Sequence, residues 1–443
     1  MADSINLMDW RLPAPTDRAQ LMVAESAGIL KRFYLIQREL VLMQAGWLPG
    51  ADHWQSKLLL PEVLWQDALV ADEFRRRVLE LRFPRREIVV GDDAPIVQLL
   101  QQFRNAPDGL AFIEGLQVVK SKLRTTYRNY LERIDHLDDA PTVRILRQAL
   151  ADLDEQIARL STAAADGFQV YPERHAPAQQ WTRGTRTMVE QLGDLLDLTP
   201  RDIAMPAVTE FGGREFAISR TGARDRRFNL NRFGWPDNLD RAIGPGVGLL
   251  LQVRQSVHHL NELWAAEMAA ACLFDLAADA EPEFLTDAAR WCFDEIRHCR
   301  MGFTRLTEWG FPIGEMSLGT FPYDAGADAA PLTRLAMIFY FESTYIHTKP
   351  ERAKIFGEWG DAVSSHDMDF DWADEQIHTH LGTRWLKYFL EKRGDPRRPT
   401  DVRPDAEACV KQAIANAPPG DRAKTQAAFE TMMTRARQFA LKT

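Results

Sequence analysis

The sequence predicts an all-α protein, and three observations lead to that prediction. Apolar residues recur at the three- and four-residue intervals of a helix along most of the 443-residue chain. Prolines and glycines that would end helices cluster at a few points, for example at 107–109 and at 418–420. A pattern of thirteen residues, D-E-x-x-H-x-x-x-G-x-x-x-L, occurs twice with helical spacing, at 294–306 and at 374–386.

The first part of the chain is predicted to be a helical domain that spans residues 1–165. Proline favours the first position of a helix, so Pro61 and Pro141 mark two expected starts. Helices are expected at 17–46, at 61–81, as one or two helices within 95–135, and from 141 to about 161.

Residues 166–245 lack sustained periodicity and are rich in proline and glycine. A short strand or hairpin is expected at 210–218. The segment also contains aromatic residues that favour burial, so we interpret it as an ordered connector that covers a site rather than as a free linker. These aromatic residues are Phe211, Phe216, Phe228, Phe233 and Trp235.

Helical periodicity resumes at residue 247 and predicts a four-helix bundle over residues 246–395, followed by C-terminal helices over 396–443. The C-terminal part is expected to hold two polar helices, separated at 418–420. The bundle helices are expected at 247–278, at 282–309, from 331 onward and at 368–392.

Composition and missing motifs exclude several classes of function. The net charge of −9 argues against binding to nucleic acid. No stretch approaches the roughly 20 apolar residues that span a bilayer, and the N-terminal residues do not resemble a signal peptide. The four cysteines form no C-x-x-C pair, so we expect reduced thiols in a cytoplasmic protein. No glycine-rich phosphate-binding motif is present, so no bound nucleotide or flavin is expected.

Each copy of the repeated pattern holds a glutamate and a histidine three residues apart, Glu295 with His298 and Glu375 with His378. Residues with that spacing lie on the same face of a helix. Two such pairs can hold two metal ions between them. Carboxylate and imidazole ligands suit iron or manganese, and no sulfur ligand is required.

Two further glutamates lie in apolar surroundings on the other predicted helices. Glu342 follows an apolar run at 335–341, and a buried carboxylate is costly unless it is paired or binds a metal. Glu267 lies on an apolar stripe and at the same distance from the intervening turn as Glu295. Glu262 is the rival to Glu267. We favour Glu267 because Glu262 lies five residues further from the turn and has more polar neighbours.

This pattern of ligands resembles the ferritin-like di-iron carboxylate superfamily over residues 247–392. The resemblance implies a ferritin-like four-helix bundle that binds two iron ions, with manganese or a mixed manganese–iron pair as alternatives, and dioxygen as co-substrate. Members of the superfamily include hydroxylases, desaturases, N-oxygenases and iron-storage proteins. The resemblance implies metal ligation at six positions, Glu267, Glu295, His298, Glu342, Glu375 and His378.

Three aspartates near the predicted ligands have two interpretations each. Asp294 and Asp374 either accept hydrogen bonds from the ring N–H groups of the ligand histidines or form salt bridges between helices. Asp371, one turn before Glu375, is an additional ligand, a hydrogen-bond partner of a ligand, or an acid that favours the helix dipole.

Four other residues are candidates for the substrate cavity. Tyr345 and His347 follow Glu342 within two turns and line the cavity, relay protons or serve in ordinary packing. Gly302 and Gly382 each lie four residues after a ligand histidine, and they let substrate or a neighbouring helix approach closely. No catalytic residue is expected beyond the metal ligands. Arg297 and Arg384 are ion-paired or solvated, or one of them anchors an acidic substrate.

The tetrapeptide Asp-Glu-Gln-Ile at 154–157 is identical to residues 374–377, but Ala158 stands where the later copy has His378. The match is either a coincidence or the remnant of a second ferritin-like bundle that has lost its ligands. Such a bundle would serve as a scaffold, a dimer surface or a wall of the substrate cavity.

The predicted function is that of a di-iron oxidase or oxygenase that hydroxylates, N-oxygenates or desaturates a small organic molecule. An external electron donor or the substrate itself would supply electrons, and the protein is expected to form a homodimer. Two alternatives remain: an iron-handling or iron-storage protein without catalysis, and a structural helical protein in which glutamates and histidines pair with each other. The large additional mass around the bundle argues against a storage cage.

Overall fold

The protein, in a computed structural model, is described for residue 12 and for residues 20–81, 88–240 and 242–441. The described chain is all-α apart from one pair of two-residue parallel strands, β1 (Asn229–Leu230) and β2 (Ser317–Leu318). The helices are α1 (Val23–Trp47), α2 (Trp54–Glu80), α3 (Ala94–Gln102), α4 (Gly109–Arg133), α5 (Ala140–Val170), α6 (His175–Gln191), α7 (Leu249–Asn261), α8 (Leu263–Leu276), α9 (Glu283–Glu308), α10 (Pro331–Tyr345), α11 (Lys349–Glu358), α12 (Ala362–Lys392), α13 (Arg403–Ala415) and α14 (Pro419–Ala440).

The N-terminal helices pack as neighbours, with α1 against α2, α2 against α5, and α4 against both α5 and α6. Helix α2 begins seven residues before the expected start at Pro61, which lies inside the helix. The His53 side chain caps the helix by accepting a hydrogen bond from the Ser56 backbone N–H, and buried Trp54 packs against Phe228. The cap and this packing therefore set the start of the helix. Of the helix expected at 17–46, residues 17–19 lie outside the described residues.

The connector begins later than residue 166, where the sequence predicts its start. Helix α5 continues to Val170, because buried Ala163, Ala164 and Gly167 extend its apolar stripe, and α6 follows with Trp181 fully buried. The irregular segment is therefore residues 192–248.

The strand or hairpin that was expected at 210–218 is not formed. This segment pairs with the loop between α3 and α4: the Asn105 carbonyl accepts from the Arg214 N–H, and its side-chain oxygen accepts from the Phe216 N–H. The backbone groups that a hairpin would use are thus bonded to a distant loop, a partner that local sequence does not reveal.

The connector joins the N-terminal helices to the rest of the molecule. Ala223 N–H donates to the Pro49 carbonyl, and the Asp225 carboxylate accepts from the Trp54 N–H at 2.9 Å. Further along, β1 pairs with β2 through Asn229 and Ser317. This segment is ordered and packed on both sides, so it is not a free linker.

The C-terminal helices enclose a common centre. Helices α7 and α8 form one rod that is interrupted at Glu262, whose backbone has φ −63° and ψ −3°. That rod, α9, α12 and α10 contact one another in a closed ring, and α1 and α2 pack on the outside of α8 and α9. One continuous hydrophobic core therefore extends from the N-terminal helices into this ring.

Helix α13 packs against α10, and α14 packs against α7. The break at residues 418–420 separates these two helices, as the sequence predicts. Among the described helices, none has an apolar stretch long enough to cross a membrane.

Residues 154–157 and residues 374–377 both lie within helices, α5 and α12, but different members of the two tetrapeptides face the core. Asp154 is exposed and pairs with Arg124 and Arg128, whereas Gln156 is the buried member of the tetrapeptide. In α12 the carboxylates of Asp374 and Glu375 are buried instead. Because the two tetrapeptides turn different faces to the core, the match gives no support to a degenerate second copy of the ligand motif.

Candidate metal centre

Two sets of potential metal ligands lie inside the ring of C-terminal helices. In each set the candidate ligand atoms lie within 4.8 Å of one another, and Glu375 belongs to both sets. Site A consists of Glu262, His298, Asp371 and Glu375, and site B consists of Glu295, Glu342, Glu375 and His378.

Helix geometry explains how each side chain reaches the centre. On α9, Glu295 and His298 are three residues apart and therefore share a face. On α12, Asp371, Glu375 and His378 follow at intervals of four and three residues, so they also form one stripe. Glu262 lies at the break between α7 and α8, and Glu342 lies in the last turn of α10.

Several potential ligand atoms at this centre have no hydrogen-bond partner among the described residues. They are buried, and buried polar atoms in proteins are nearly always paired. Each ring Nδ1 lies near a carboxylate oxygen, with 3.3 Å from His298 to Glu262 and 3.0 Å from His378 to Glu295. The unpartnered atoms are Glu262 Oε2, His298 Nδ1, Glu375 Oε2 and His378 Nδ1. Converging nitrogen and oxygen atoms of this kind fit two metal ions.

The other ring nitrogens are held by two aspartates in a crossed arrangement. His298 Nε2, on α9, lies 3.2 Å from Asp374 Oδ2 on α12, and His378 Nε2, on α12, lies 3.4 Å from Asp294 Oδ2 on α9. Arg297 joins the two aspartates, with its Nη1 2.7 Å from Asp294 and 2.9 Å from Asp374. Both of the roles that the sequence suggested for these aspartates therefore occur together. The crossed contacts leave each Nδ1 facing the centre.

The sequence favours Glu267 over Glu262 as a metal ligand, but Glu267 does not reach the centre. It is fully buried on α8, where its carboxylate binds Arg224 at 2.6 and 2.9 Å and the Lys57 ammonium at 2.5 Å. These two cations come from segments distant in sequence, and they satisfy the buried charge without a metal. Glu262 takes the place of Glu267 in the candidate site.

Asp371 belongs to site A and has two further partners. Its Oδ2 lies 3.2 Å from His259 Nε2, and its Oδ1 accepts from Lys349 Nζ at 2.5 Å. The same ammonium donates to Glu375 at 2.7 Å. Nothing in the sequence indicates that Lys349 lies at this centre, because a lysine before Pro350 at the start of a helix is an ordinary feature of a solvated surface.

The remaining predicted residues divide into two groups. Tyr345 lines the cavity beside the metal centre, whereas His347 is exposed and is not among the residues that line it. Gly302 and Gly382 lie where two helices cross closely. A Cβ atom at Gly302 would lie 2.3 Å from the backbone of α7, and one at Gly382 would lie 2.6 Å from the Phe339 ring on α10.

The centre carries an excess of negative charge. Burial and the neighbouring Glu295 and Glu375 carboxylates raise the pKa of Glu342 well above its usual range. Burial lowers the pKa of His378, but Asp294 and Glu295 outweigh that effect and raise it to about 9. Such shifts mean that this cluster favours added positive charge, which bound metal ions would supply.

A cavity of about 380 Å³ adjoins the two sites and is lined by four of the candidate ligands, Glu262, Glu295, Glu342 and Glu375. One wall is aromatic and includes Trp264 and Phe341, whose rings are 4.9 Å apart. The cavity is polar at Asp237, Arg254, His258 and Arg352. Neither arginine that the sequence suggested as an anchor lines this cavity: Arg297 joins the aspartates, and Arg384 pairs with Asp287.

Comparison with known proteins adds one finding. Residues 252–430 are similar to a family described as "Protein of unknown function (DUF455)". This stretch is less than half of the chain, but it contains every residue of sites A and B. No curated protein and no solved structure matches the chain.

Proposed function

We propose that the protein is a ferritin-like di-iron oxidase or oxygenase that uses dioxygen to oxidise a small organic molecule. The observation that carries this proposal is the pair of buried ligand sets that share Glu375 and contain unpartnered nitrogen and oxygen atoms. The order of ligands along the chain supports it. With Glu262 in place of Glu267, the order is Glu, Glu-x-x-His, Glu, Glu-x-x-His. These ligands lie in turn on the α7–α8 rod, α9, α10 and α12.

The donor set fits hard or borderline divalent metals. Site A would hold one ion through Glu262, His298, Asp371 and Glu375, and site B would hold the second through Glu295, Glu342, Glu375 and His378. Two iron ions, or manganese in one or both positions, would supply electrons for dioxygen reduction when bound here. An external donor or the substrate would then return those electrons.

The surrounding residues have separate tasks in this proposal. Asp294 and Asp374 orient the imidazole rings, so that each Nδ1 is available as a ligand. Lys349 balances part of the carboxylate charge at site A. The aromatic side chains Trp264 and Phe341 keep water away from one side of the cavity and leave space for an organic substrate.

An iron-handling or iron-storage protein is the main alternative, and it would use the same ligands. The cavity of about 380 Å³ beside the ligands favours a substrate-oxidising enzyme, because ion storage does not require an aromatic-walled chamber. A purely structural role would pair glutamates with histidines, and each Nδ1 does lie close to a carboxylate oxygen. Such pairing alone does not account for two sets of four ligand atoms that each converge within 4.8 Å.

Metal analysis of the full chain tests the proposal. Protein loaded anaerobically with Fe²⁺ should retain two ions per chain, and a Glu295→Ala, His378→Ala double variant should retain far less. The matched control is Glu358→Ala with His366→Ala, which removes the same side chains from exposed positions. Retention of well under one ion per chain by the unaltered protein would overturn the metal site. Retention of iron without any dioxygen consumption by the reduced protein would favour iron handling.

A further inference from the structure

The polar part of the cavity contains an arginine without a carboxylate partner. Arg352 is partly buried on α11, and its Nη1 donates to the side-chain oxygen of Gln255 at 3.1 Å. No described carboxylate lies within ion-pair distance of this guanidinium. Burial and the nearby charge of Arg254 lower the pKa of Arg352 to about 10, and the more distant carboxylates of Asp371, Asp237 and Glu262 offset only part of that effect.

A second arginine, Arg254, lines the same part of the cavity. Its Nη2 lies 2.6 Å from Asp237, and its Nε donates to the same carboxylate at 2.6 Å. Its Nη1, in contrast, is buried and has no hydrogen-bond acceptor among the described residues. Protein atoms therefore leave donors of both guanidinium groups without an acceptor.

Carboxylates of sites A and B line the other side of this cavity, and the two metal ions of the function proposed above would largely neutralise them. In the polar part, Asp237 contacts Arg254 directly, whereas no described carboxylate contacts Arg352 directly. His258 contacts the same Asp237 carboxylate at 3.0 Å, and burial lowers the pKa of His258 below its usual value. One guanidinium without a direct ionic partner matches a ligand with a single negative charge, and a guanidinium fork matches the planar geometry of a carboxylate.

The other lining residues indicate what the rest of the ligand is like. Trp264, Phe321, Phe341 and Tyr345 provide aromatic surface in the same cavity as the arginines and the candidate ligands Glu295 and Glu342. The volume of about 380 Å³ is at the lower end of the range for small-molecule sites. An apolar body of modest size fits this surface.

Resting on the function proposed above, we infer that the substrate is an organic monocarboxylate with an apolar body. Arg352, assisted by Arg254, binds its carboxylate, and the aromatic wall holds its body next to sites A and B. Gln255, which Arg352 contacts, lies seven residues or about two helical turns before Glu262, so the apolar body of the ligand would extend from the arginines towards the metal ligands.

Binding measurements on the full chain test this inference with two acids, 3-phenylpropanoate and octanoate, and their primary amides. Calorimetric titrations are made on the metal-free protein and on the iron-loaded protein without oxygen. Each acid should bind at least about 10-fold more tightly than its amide, because a charged hydrogen bond contributes about a factor of 10 to 100. Arg352→Gln should abolish that preference, Arg352→Lys should retain part of it, and Arg393→Gln, at an exposed position, should retain all of it.

Three results would overturn the inference: equal binding of acid and amide to the unaltered protein, an undiminished preference in Arg352→Gln, or tighter binding of phenyl phosphate than of either acid. The comparison of acid with amide uses the unaltered chain, so it stands even if Arg352→Gln does not fold. Metal content, measured on the same samples, separates this inference from the proposed function. An iron-loaded protein without acid preference contradicts the anchor alone, and acid preference in a chain that binds no metal contradicts the di-iron function alone.

Discussion

Asp374 Oδ2 lies 3.2 Å from His298 Nε2, although the two residues are on different helices, α12 and α9. The reciprocal contact joins Asp294 on α9 to His378 on α12 at 3.4 Å. Each D-E-x-x-H copy therefore supplies a glutamate and a histidine to the centre and an aspartate that orients the histidine of the other copy. This exchange gives a physical reason for the aspartate in both copies of the pattern.

We expect Asp374→Asn to weaken metal binding by about 10- to 100-fold, which is the usual effect of removing a partner that orients a ligand histidine. An amide accepts a hydrogen bond from the His298 ring more weakly than a carboxylate does, and it no longer pairs with Arg297. Competition with a chelator of known affinity measures the change. Asp369→Asn, at an exposed position on the same helix, is the matched control. Equal metal affinity for the Asp374 variant and the control would show that the crossed contact has no such role.

Glu262 and Glu267 are expected to give opposite results when each is replaced by alanine. Glu262→Ala should reduce metal content towards one ion per chain with little loss of stability, because Glu262 is a candidate ligand of site A. Glu267→Ala should lower the free energy of unfolding by about 3–5 kcal/mol, because it leaves Lys57 and Arg224 buried without a counter-charge.

Urea denaturation and metal analysis on both variants measure these effects. Glu281→Ala, at an exposed position beyond the end of α8, provides the control for both measurements. If Glu267→Ala lost metal while remaining as stable as the unaltered protein, Glu267 would be the ligand and the assignment to Glu262 would be wrong.

The sequence predicts α9, the start of α10 and the end of α12 closely, because periodicity and helix-breaking residues are local signals. It misses α11 and starts α12 six residues too late. It also identifies Glu295, His298, Glu342, Glu375 and His378, which the structure brings to one centre. It fails at Glu262, since counting residues from a turn treats α7 and α8 as one regular helix. The break at Glu262 and the cations that neutralise Glu267 depend on tertiary packing.

Lys349 and Arg352 show a second limit of the sequence pattern. Both lie near the start of α11, where Lys349 contacts Asp371 and Arg352 lines the cavity. A short run of charged residues at the start of a helix is normally solvated, so nothing local marks these two as buried or partly buried. Their position depends on α11 packing against α12, which composition does not specify.

The buried Lys57 should give the protein a distinctive dependence of stability on pH. Burial lowers the pKa of Lys57 from its usual 10.5 to about 8 in the folded protein. Between these two pH values the unfolded chain binds more protons at Lys57 than the folded chain does, so the free energy of unfolding rises with pH. The increase is about 1.4 kcal/mol for each pH unit.

Comparison with Lys57→Met isolates this contribution, because the other titrating groups are shared. From pH 8 to pH 10, we expect the free energy of unfolding of the unaltered protein to increase relative to that of the variant. Lys354→Met, which removes a lysine with a 77% exposed side chain, should follow the unaltered protein at every pH. Parallel stability curves for the unaltered protein and Lys57→Met would contradict the lowered pKa.

Gly302→Ala should destabilise the protein more than Gly382→Ala. A Cβ at Gly302 would lie 2.3 Å from the Ser256 carbonyl oxygen and the Leu260 nitrogen, both of which are backbone atoms of α7. Relief of that contact requires the two helices to separate, and overpacking of this kind costs about 1–3 kcal/mol. At Gly382 the close atom belongs to the Phe339 side chain, which can shift at lower cost.

The same substitution is expected to affect the metal centre, because α7 leads directly into Glu262. Displacement of α7 away from α9 would lengthen the 3.3 Å separation between Glu262 Oε2 and His298 Nδ1, so Gly302→Ala should bind metal more weakly at site A. Gly420→Ala is the control, because a Cβ there meets no atom within 4 Å and alanine favours a helix. Thermal unfolding and metal titration of the three variants measure both effects. An alanine at residue 302 that left stability and metal affinity unchanged would show that α7 and α9 do not approach each other this closely.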